Sequence, residues 1–419
     1  MKPAAALALL LLALAAAGCG GQKSASPVSA QTCSDVVYGG KGKPDAIVVS
    51  DLPRRGVLQP TTLLMEDAIK TVLAQRDYRA GDLRIGYQTC DDSSADEPYD
   101  QGLCERNAKA YAAAEDVIGV IGPSNSACSA VEIPVLSRKA AGPLAMVSPA
   151  STWAGLTRKT LDEPRAPGMF YPDGLRNFTR VVPPDNEEGG AVALLASRLG
   201  AKRVASVSQD GAYGQGLRGP FADEAQARGL QARDFEWGRQ ATFAPLARRV
   251  AAARPQLVYL AGLPSLNGRR LVEDLRRELG PDVVLVASAG WLDPRPAELG
   301  PAAQGMLISL AGVQAENLPA RGRAFLRTFG KPAYVTRQGY GAPEAAQSAE
   351  VLLDAIARSD GTRGSVVEEL FKTDEKDGIL GSFRFDRNGD IDPAAVTFMR
   401  VQDGKLVVDR VVRVRAPSE

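Results

Sequence analysis

Two runs decide the reading of this chain: Val117-Ile-Gly-Val-Ile-Gly-Pro-Ser-Asn-Ser-Ala-Cys-Ser-Ala130 and Pro143-Leu-Ala-Met-Val-Ser-Pro-Ala-Ser-Thr-Trp153. Val117–Ile121 and Leu144–Val147 are short, unbroken and apolar, the pattern of strands buried on both faces of a parallel sheet. Each runs into a cluster of Gly, Pro, Ser and Thr, and Val131–Lys139 between them has helical spacing. The unit is strand, loop, helix, strand. In open parallel sheets ligands bind outside the carboxyl ends of strands. Free amides at a helix start attract anions there, and Ser124, Ser126, Ser148, Ser151 and Thr152 add hydroxyls. The competing reading is plain helix capping, since Ser and Thr open many helices. Two such loops on neighbouring strands favour a polar ligand site.

Outward from this unit the same alternation continues. Upstream lie a strand at Ala46–Ser50, a helix at Thr61–Arg76, a strand at Leu83–Tyr87 and a helix at Glu105–Ala114. Downstream, Arg180-Val-Val-Pro-Pro-Asp185 marks a boundary, because a Pro pair cannot sit inside a helix. A second series follows. Its strands are expected at Arg203–Ser208, Ala232–Trp237, Leu257–Ala261, Val283–Ser288 and Gly305–Leu310, with helices between them. Beyond, the spacing predicts helices at Ala320–Thr328 and Tyr340–Ser359 and strands at Val396–Val401 and Leu406–Val414. Asn-Gly and Asp-Gly pairs there signal hairpins. The fold class is α/β, with two doubly wound parallel-sheet lobes and a cleft between them.

The composition is that of an ordinary globular protein, with 45% apolar residues, 50 Lys+Arg against 49 Asp+Glu, and a formal net charge of +1. That balance gives no reason to expect a nucleic-acid partner. The chain has no His, so Ser/His/Asp and Cys/His catalysis is excluded. Carboxylate chemistry is the enzymatic alternative that stays open.

Met1-Lys2 is followed by an apolar run from Ala4 to Ala17 and then Gly18-Cys19. This is a secretory leader, too short for a spanning helix of about 20 residues. Ala16-Ala17-Gly18-Cys19 resembles a bacterial lipobox, which makes Cys19 the lipidation site and 1–18 the leader. The polar stretch from Gly20 to Gln31 reads as a flexible tether. Cys33, Cys90, Cys104 and Cys128 remain, an even number in an exported chain, and two disulfides are expected. Three pairings are open. Cys90–Cys104 is preferred for its short loop, with Cys33–Cys128 as the other. A metal site is disfavoured by the missing His and the wide Cys spacing.

Two further motifs resemble known sites. Gly214-Gln-Gly216-Leu-Arg-Gly219, with Asp234 beyond it, matches a dinucleotide fingerprint in spacing, but the glycines do not follow directly on a strand. Asp386-Arg-Asn388-Gly-Asp390-Ile-Asp392 resembles a calcium loop, but lacks Gly at the sixth position and Glu at the twelfth. It reads as a hairpin turn. No cofactor and no metal are expected.

Ile121-Gly-Pro-x-x-Ser126, Ser148-Pro-Ala-Ser-Thr152, Arg180-Val-Val-Pro-Pro-Asp185, Tyr213-Gly-Gln-Gly216, Gly341-x-x-x-Ala-Ala-Gln-Ser-Ala349 and Phe383-Arg-Phe-Asp-Arg-Asn-Gly-Asp390 occur in this order. Together they resemble the branched-chain amino acid binding family, the type I periplasmic solute-binding proteins of ABC importers. The resemblance runs from Ala46 to Val414. It implies two lobes joined by three crossovers, placed near Pro183, Leu310 and Phe383. The chain then divides as 19–32 tether, 33–182 and 310–382 first lobe, 183–309 and 383–419 second lobe. It implies hinge closure on a small ligand, no catalysis, and a membrane permease as partner. The matching ligand positions are Ser126, Ala150, Ser151 and Thr152 on the first lobe, with Tyr213, Leu263 and Trp291 on the second. The first-lobe set, which would hold a carboxylate, is intact. The acid that would hold an ammonium falls within Ser288-Ala-Gly-Trp291, where there is none. Asp210 or Asp293 would have to substitute, or the ligand is an amine-free carboxylate, an amide or an aromatic acid stacking on Trp291 or Trp153. A sensory module of the same fold is the alternative reading of the function, with a carboxylate-dependent enzyme behind it.

Overall fold

The computed structural model describes residues 24–94, 99–160, 163–209, 212–238, 240–264, 267–292, 296–332 and 341–414. The expected leader, Cys19, Asp210 and Asp293 lie outside the described residues.

The first lobe opens with strand β1 (Ala46–Leu52), helix α1 (Gln59–Gln75), the short β2 (Arg79–Ala80) and β3 (Leu83–Asp91). It continues with α2 (Gln101–Ala113), β4 (Val117–Ile121), α3 (Ser126–Leu136), β5 (Ala145–Ser148) and β6 (Phe178–Arg180). These strands form one sheet in the order β2-β3-β1-β4-β5-β6, parallel except for β2. The apolar runs are what a sheet covered on both faces requires: every residue of β1 and β4 is buried.

The second lobe repeats the scheme. It comprises α4 (Asp185–Arg198), β7 (Arg203–Gln209), α5 (Ala212–Ala227), β8 (Gln231–Trp237), α6 (Ala244–Ala252), β9 (Leu257–Ala261), α7 (Gly268–Leu279), β10 (Val284–Ala287) and β11 (Leu307–Ala311). The chain then returns to the first lobe as α8 (Ala320–Phe329), α9 (Ala342–Arg358) and α10 (Arg363–Phe371). A small antiparallel sheet follows, of β12 (Asp374–Gly378), β13 (Gly381–Phe385) and β14 (Ile391–Asp392). Finally β15 (Ala394–Gln402) and β16 (Lys405–Val414) complete a seven-stranded sheet ordered β16-β15-β11-β10-β9-β7-β8.

Each sheet has apolar cores on both faces. On the first lobe, α1, α8, α9 and α10 cover one side and α2 and α3 the other. On the second, α4 and α5 oppose α6 and α7. Helix α9 lies so close to the first sheet that a Cβ at Gly119 would meet Leu352 Cδ1 at 2.8 Å.

Three expectations need correction. The disulfides are Cys33–Cys90 and Cys104–Cys128, not the pairing preferred from loop length. The segment from Cys33 to Val37 runs antiparallel to β3, with Cys33 bridged to Cys90 and Val37 to Tyr87, while Cys104 and Cys128 lie on the packed helices α2 and α3. Fold contacts, not sequence distance, set the pairing. For the same reason residues 24–31 are not a free tether. Ala25 N donates to Pro44 O at 2.9 Å, Ser26 N to Asp116 Oδ2 at 2.8 Å and Val28 N to Gln88 Oε1 at 2.8 Å. Third, the second-lobe sheet is re-entered at Ala394 rather than at Phe383, because Phe383 and Phe385 pack into the first-lobe core. Three passages meet around one small cavity lined by Val181, Pro183, Gly312, Val313, Pro393 and Ala395.

Candidate functional site: the strand ends of the two lobes

In both sheets the chain winds outward in two directions from a central strand, and ligands favour the switch point this creates. In the first lobe the switch lies between β1 and β4. Gly122, with φ +130°, packs so closely there that a Cβ would meet Asp51 O at 2.5 Å, so only glycine fits.

Beyond it, the loops after β4 and β5 are joined. Ser148 Oγ donates to Pro123 O at 2.6 Å and accepts from Ser151 N at 2.9 Å and Ala150 N at 3.3 Å. Ser151 Oγ also donates to Pro123 O at 3.1 Å and lies 2.8 Å from Ser129 Oγ. Ser126 Oγ accepts from Trp153 N at 3.1 Å. Helix α3 begins five residues before the expected Val131, because Asn125 caps it: its Oδ1 accepts from Cys128 N at 2.8 Å. The helix start therefore falls at Ser126, next to the β5 loop. Ser124, Ser126, Ala150, Thr152 and Trp153 are half-buried, whereas Ser151 is fully buried and turned inward. Among the sequence-chosen residues, Ser126 is thus tied to the loop that carries Ala150 and Thr152, and Ser151 anchors that loop from within.

Under this face lies a cluster the sequence reading missed. Asp51, Asp92 and Glu132 are all fully buried. Asn107 Nδ2 donates to Asp51 Oδ1 at 3.0 Å, and Asn125 Nδ2 to Asp92 Oδ2 at 3.2 Å. Burial pushes the Asp51 carboxyl up to about 6. Burial and the neighbouring carboxyls raise Asp92 and Glu132 well above the usual range, so this cluster carries protons at neutral pH. Asp92 lies within 4.8 Å of both sulfurs of Cys104 and Cys128, but the disulfide leaves no thiolate to bind a metal. The cluster is also closed to solvent, so these carboxyls cannot act on a substrate as the enzymatic alternative needs.

In the second lobe the switch lies between β7 and β9. A Cβ at Gly262 would meet Gln209 Cβ at 2.5 Å, and Gln209 Oε1 accepts from Leu263 N at 2.8 Å. Leu263 is exposed. Trp291 is not: it is fully buried and packs edge-to-face on Trp237 with centroids 6.0 Å apart. It belongs to the lobe core, which removes it from the ligand candidates. The Tyr213 side chain is outside what the structure describes. Between Ser288 and Trp291, where no acid stands in sequence, an acid arrives from elsewhere: Glu188 of α4 accepts from Ala289 N at 2.8 Å and Ser309 Oγ at 2.6 Å. Burial pushes its carboxyl up to about 8, so it stands there neutral. No spacing links Glu188 to Ala289, 101 residues away, and only the fold brings them together.

The two look-alike motifs are accounted for. Gly214, Gly216 and Gly219 lie inside α5, and α5 packs closely on α4: a Cβ at Gly189 would meet Leu217 O at 2.3 Å. In the calcium-like loop, Asp386 Oδ1 accepts from Asn388 N at 2.8 Å and Asp390 N at 3.0 Å. Asp390 is buried against Arg180 Nε at 2.7 Å and Arg158 Nε at 2.6 Å. It is a structural ion-paired turn.

The periplasmic binding protein family description matches residues 70–405. The Leu/Ile/Val-binding protein BraC3 of Rhizobium johnstonii is 24% identical over 318 residues, covering 70% of this chain and 77% of that protein. Among solved structures, an ABC transporter substrate-binding protein of Desulfitobacterium hafniense in complex with Leu aligns with TM-score 0.65, at 22% identity. That alignment covers 87% of this chain and 99% of the other. A solute-binding protein of R. palustris in complex with benzoate aligns with TM-score 0.59, at 17% identity, covering 89% and 98%. The fold of these structures is the two-lobed arrangement described above, and the family is one of binding proteins rather than enzymes. With its two doubly wound lobes and a match over most of its length, the chain belongs to the periplasmic binding protein family and has the type I fold.

Proposed function

We propose that the protein is the extracytoplasmic substrate-binding component of an ABC importer, lipid-anchored through Cys19, which captures a small carboxylate between its lobes by hinge closure. Family membership implies a place outside the cytoplasmic membrane. The leader with its lipobox-like end supports the anchor, and the names of the relatives support a permease as partner. The observation that carries the ligand reading is the joined pair of first-lobe loops, which presents the Ser126 and Thr152 hydroxyls and the backbone at Ala150 beside the start of α3. A helix start with neighbouring hydroxyls suits a carboxylate.

The second lobe offers no counter-charge for an amine among its described strand-end residues: Gln209, Gly262, Leu263 and Ser288–Leu292 include no acid, and Glu188 is buried and neutral. An unpaired ammonium in a closed cleft is costly, so the reading favours an amine-free carboxylate or an amide. Trp153, half-buried beside Ser126, replaces Trp291 as the ring an aromatic acid would meet.

The test is a thermal-shift screen of the purified protein against leucine, isoleucine, benzoate, 4-hydroxybenzoate, aliphatic carboxylates and their amides. A ligand at about 100 times its Kd adds roughly 2.7 kcal/mol of stability. Shifts with the amine-free acids or amides and none with leucine or isoleucine are expected. A shift with leucine alone overturns the amine-free reading, and silence across the whole panel overturns the carboxylate site.

A further inference from the structure

Two helix starts of the first lobe are closed into one ring through Asp92. Asp92 follows the end of β3, where Cys90 and Asp91 pair with Asp51 and Leu52 of β1, and it is fully buried. Its backbone oxygen accepts from Asp100 N at 2.9 Å. Asp100 in turn caps α2, its Oδ1 accepting from Leu103 N at 3.0 Å. The Asp92 carboxyl accepts from Asn125 Nδ2 at 3.2 Å, and Asn125 caps α3 by accepting from Cys128 N at 2.8 Å. In the first turn of both helices the Cys104–Cys128 disulfide completes the ring.

The first amides of a helix have no partner within it, and helix ends are where local opening costs least. Helix α3 is secured at this weak point twice, by a cap and by a covalent bond. It is also the point where Ser126 stands, its Oγ accepting from Trp153 N at 3.1 Å. The helix in the matching place of the second lobe, α7, has no side-chain bond at its N-cap Asn267 among the described residues. The other disulfide lies outside the ring. Cys33–Cys90 fastens the segment from Cys33 to Val37 along one edge of β3, while β1 holds β3 from the opposite edge.

We infer that Cys104, Cys128, Asp92 and Asn125 are positioning residues for the ligand cradle. They fix the start of α3 before any ligand arrives, and Cys33–Cys90 has no part in this. The role toward a ligand rests on the proposed function, whereas the fixed helix start does not. Holding the donors in place in advance lowers the ordering cost of binding.

Hydrogen exchange of the full chain without ligand, followed by mass spectrometry well below each variant's melting temperature, is the test. Cys104→Ser with Cys128→Ser should speed exchange at residues 126–130 about tenfold or more, the scale on which a lost cross-link shifts an opening equilibrium. Exchange in β9 of the second lobe should not change. Cys33→Ser with Cys90→Ser should leave residues 126–130 within about twofold of the wild type. If the first variant does not fold, Asn125→Ala opens the same ring with the disulfide kept, and the same acceleration is expected. Unchanged exchange in the opened ring overturns the inference, as does equal acceleration by both disulfide variants. Calorimetry with benzoate gives the second readout: opening the ring should weaken binding about tenfold, and removing Cys33–Cys90 should leave it within about twofold. Equal affinity of the two variants for benzoate overturns the positioning role. A wild type that does not bind benzoate counts against the ligand reading alone, and the exchange result then decides the inference.

Discussion

The two lobes share a plan and differ in what they place at its end. In each, a glycine after the third parallel strand packs on the end of the central strand: Gly122 on Asp51 in one, Gly262 on Gln209 in the other. After Gly122 come a hydroxyl-rich loop and a capped helix, backed by buried carboxyls. After Gly262 come Leu263 and Pro264, backed by the Trp237–Trp291 pair. One switch point is finished as a polar cradle and the other as an apolar wall. On the proposed function, a ligand with one charged end and one uncharged body fits that difference, its charge toward the first lobe and its body toward the second.

The largest expected effect separates the buried acids of the two lobes. In the second lobe, Glu188 rises from 4.5 to about 8, which corresponds to roughly 4–5 kcal/mol of stability. Its folded-state affinity for the proton is raised, so this stability is fully present below pH 4.5 and is lost as the pH climbs to 8. Asp51 of the first lobe, raised from 3.8 to about 6, loses its share by about pH 6. Denaturant melts from pH 4.5 to 8.5 should show a steady fall. Glu188→Gln removes the share of that fall which Glu188 supplies between pH 4.5 and 8, while Asp51→Asn removes the share that ends by about pH 6. A Glu188→Gln protein with an unchanged pH profile breaks the comparison.

The apolar wall comes next. Trp291→Ala should cost about 3–5 kcal/mol, as expected for a fully buried indole. Trp291→Phe should leave ligand affinity within about twofold, since the ring is core and not contact surface. A large affinity loss in the Phe variant, measured calorimetrically with whichever compound the screen returns, would return Trp291 to the site. The cradle gives the third effect. Ser126→Ala with Thr152→Ala should weaken binding about tenfold or more, because each lost bond to a charged group costs roughly 1.5–3 kcal/mol. Unchanged affinity removes the carboxylate assignment.

Periodicity carried most of this fold. Val117–Ile121 and Leu257–Ala261 match the expected bounds residue for residue, because a strand buried on both faces needs an unbroken apolar run that ends sharply. The start of α3 was misplaced because the pattern began at the first apolar residue, while the cap at Asn125 works through a side-chain acceptor that leaves no apolar mark. The helix α10 and strand β12 lay in a stretch without clear alternation. The loops beyond β4 and β5 were legible: Ser126 and Thr152 lie just past the ends of the strands that the apolar runs marked. What depended on long-range contact was not. Glu188 beside Ala289, Arg180 on Asp390 and the four cysteines are pairings made by topology. Trp291 failed for another reason: an aromatic after a strand reads alike whether it points to the cleft or the core.

The smallest effect bears most directly on how the cradle is built. Ser151 lies between Ala150 and Thr152, so sequence alone gives it the same standing as its neighbours. Its hydroxyl is fully buried and spent on Pro123 O and Ser129 Oγ, both on the β4 side, so it joins two loops rather than meeting a ligand. Ser151→Ala should therefore cost about 1 kcal/mol of stability, the net worth of one neutral hydrogen bond. It should leave the association with ligand unchanged within about twofold, because Ser148 still holds Pro123 O and the backbone amides of residues 150 and 151. If Ser151→Ala weakened binding as much as Ser126→Ala, the hydroxyl would have to turn outward on closure. The first lobe would then be no preformed cradle, and its difference from the second would arise only once ligand is bound.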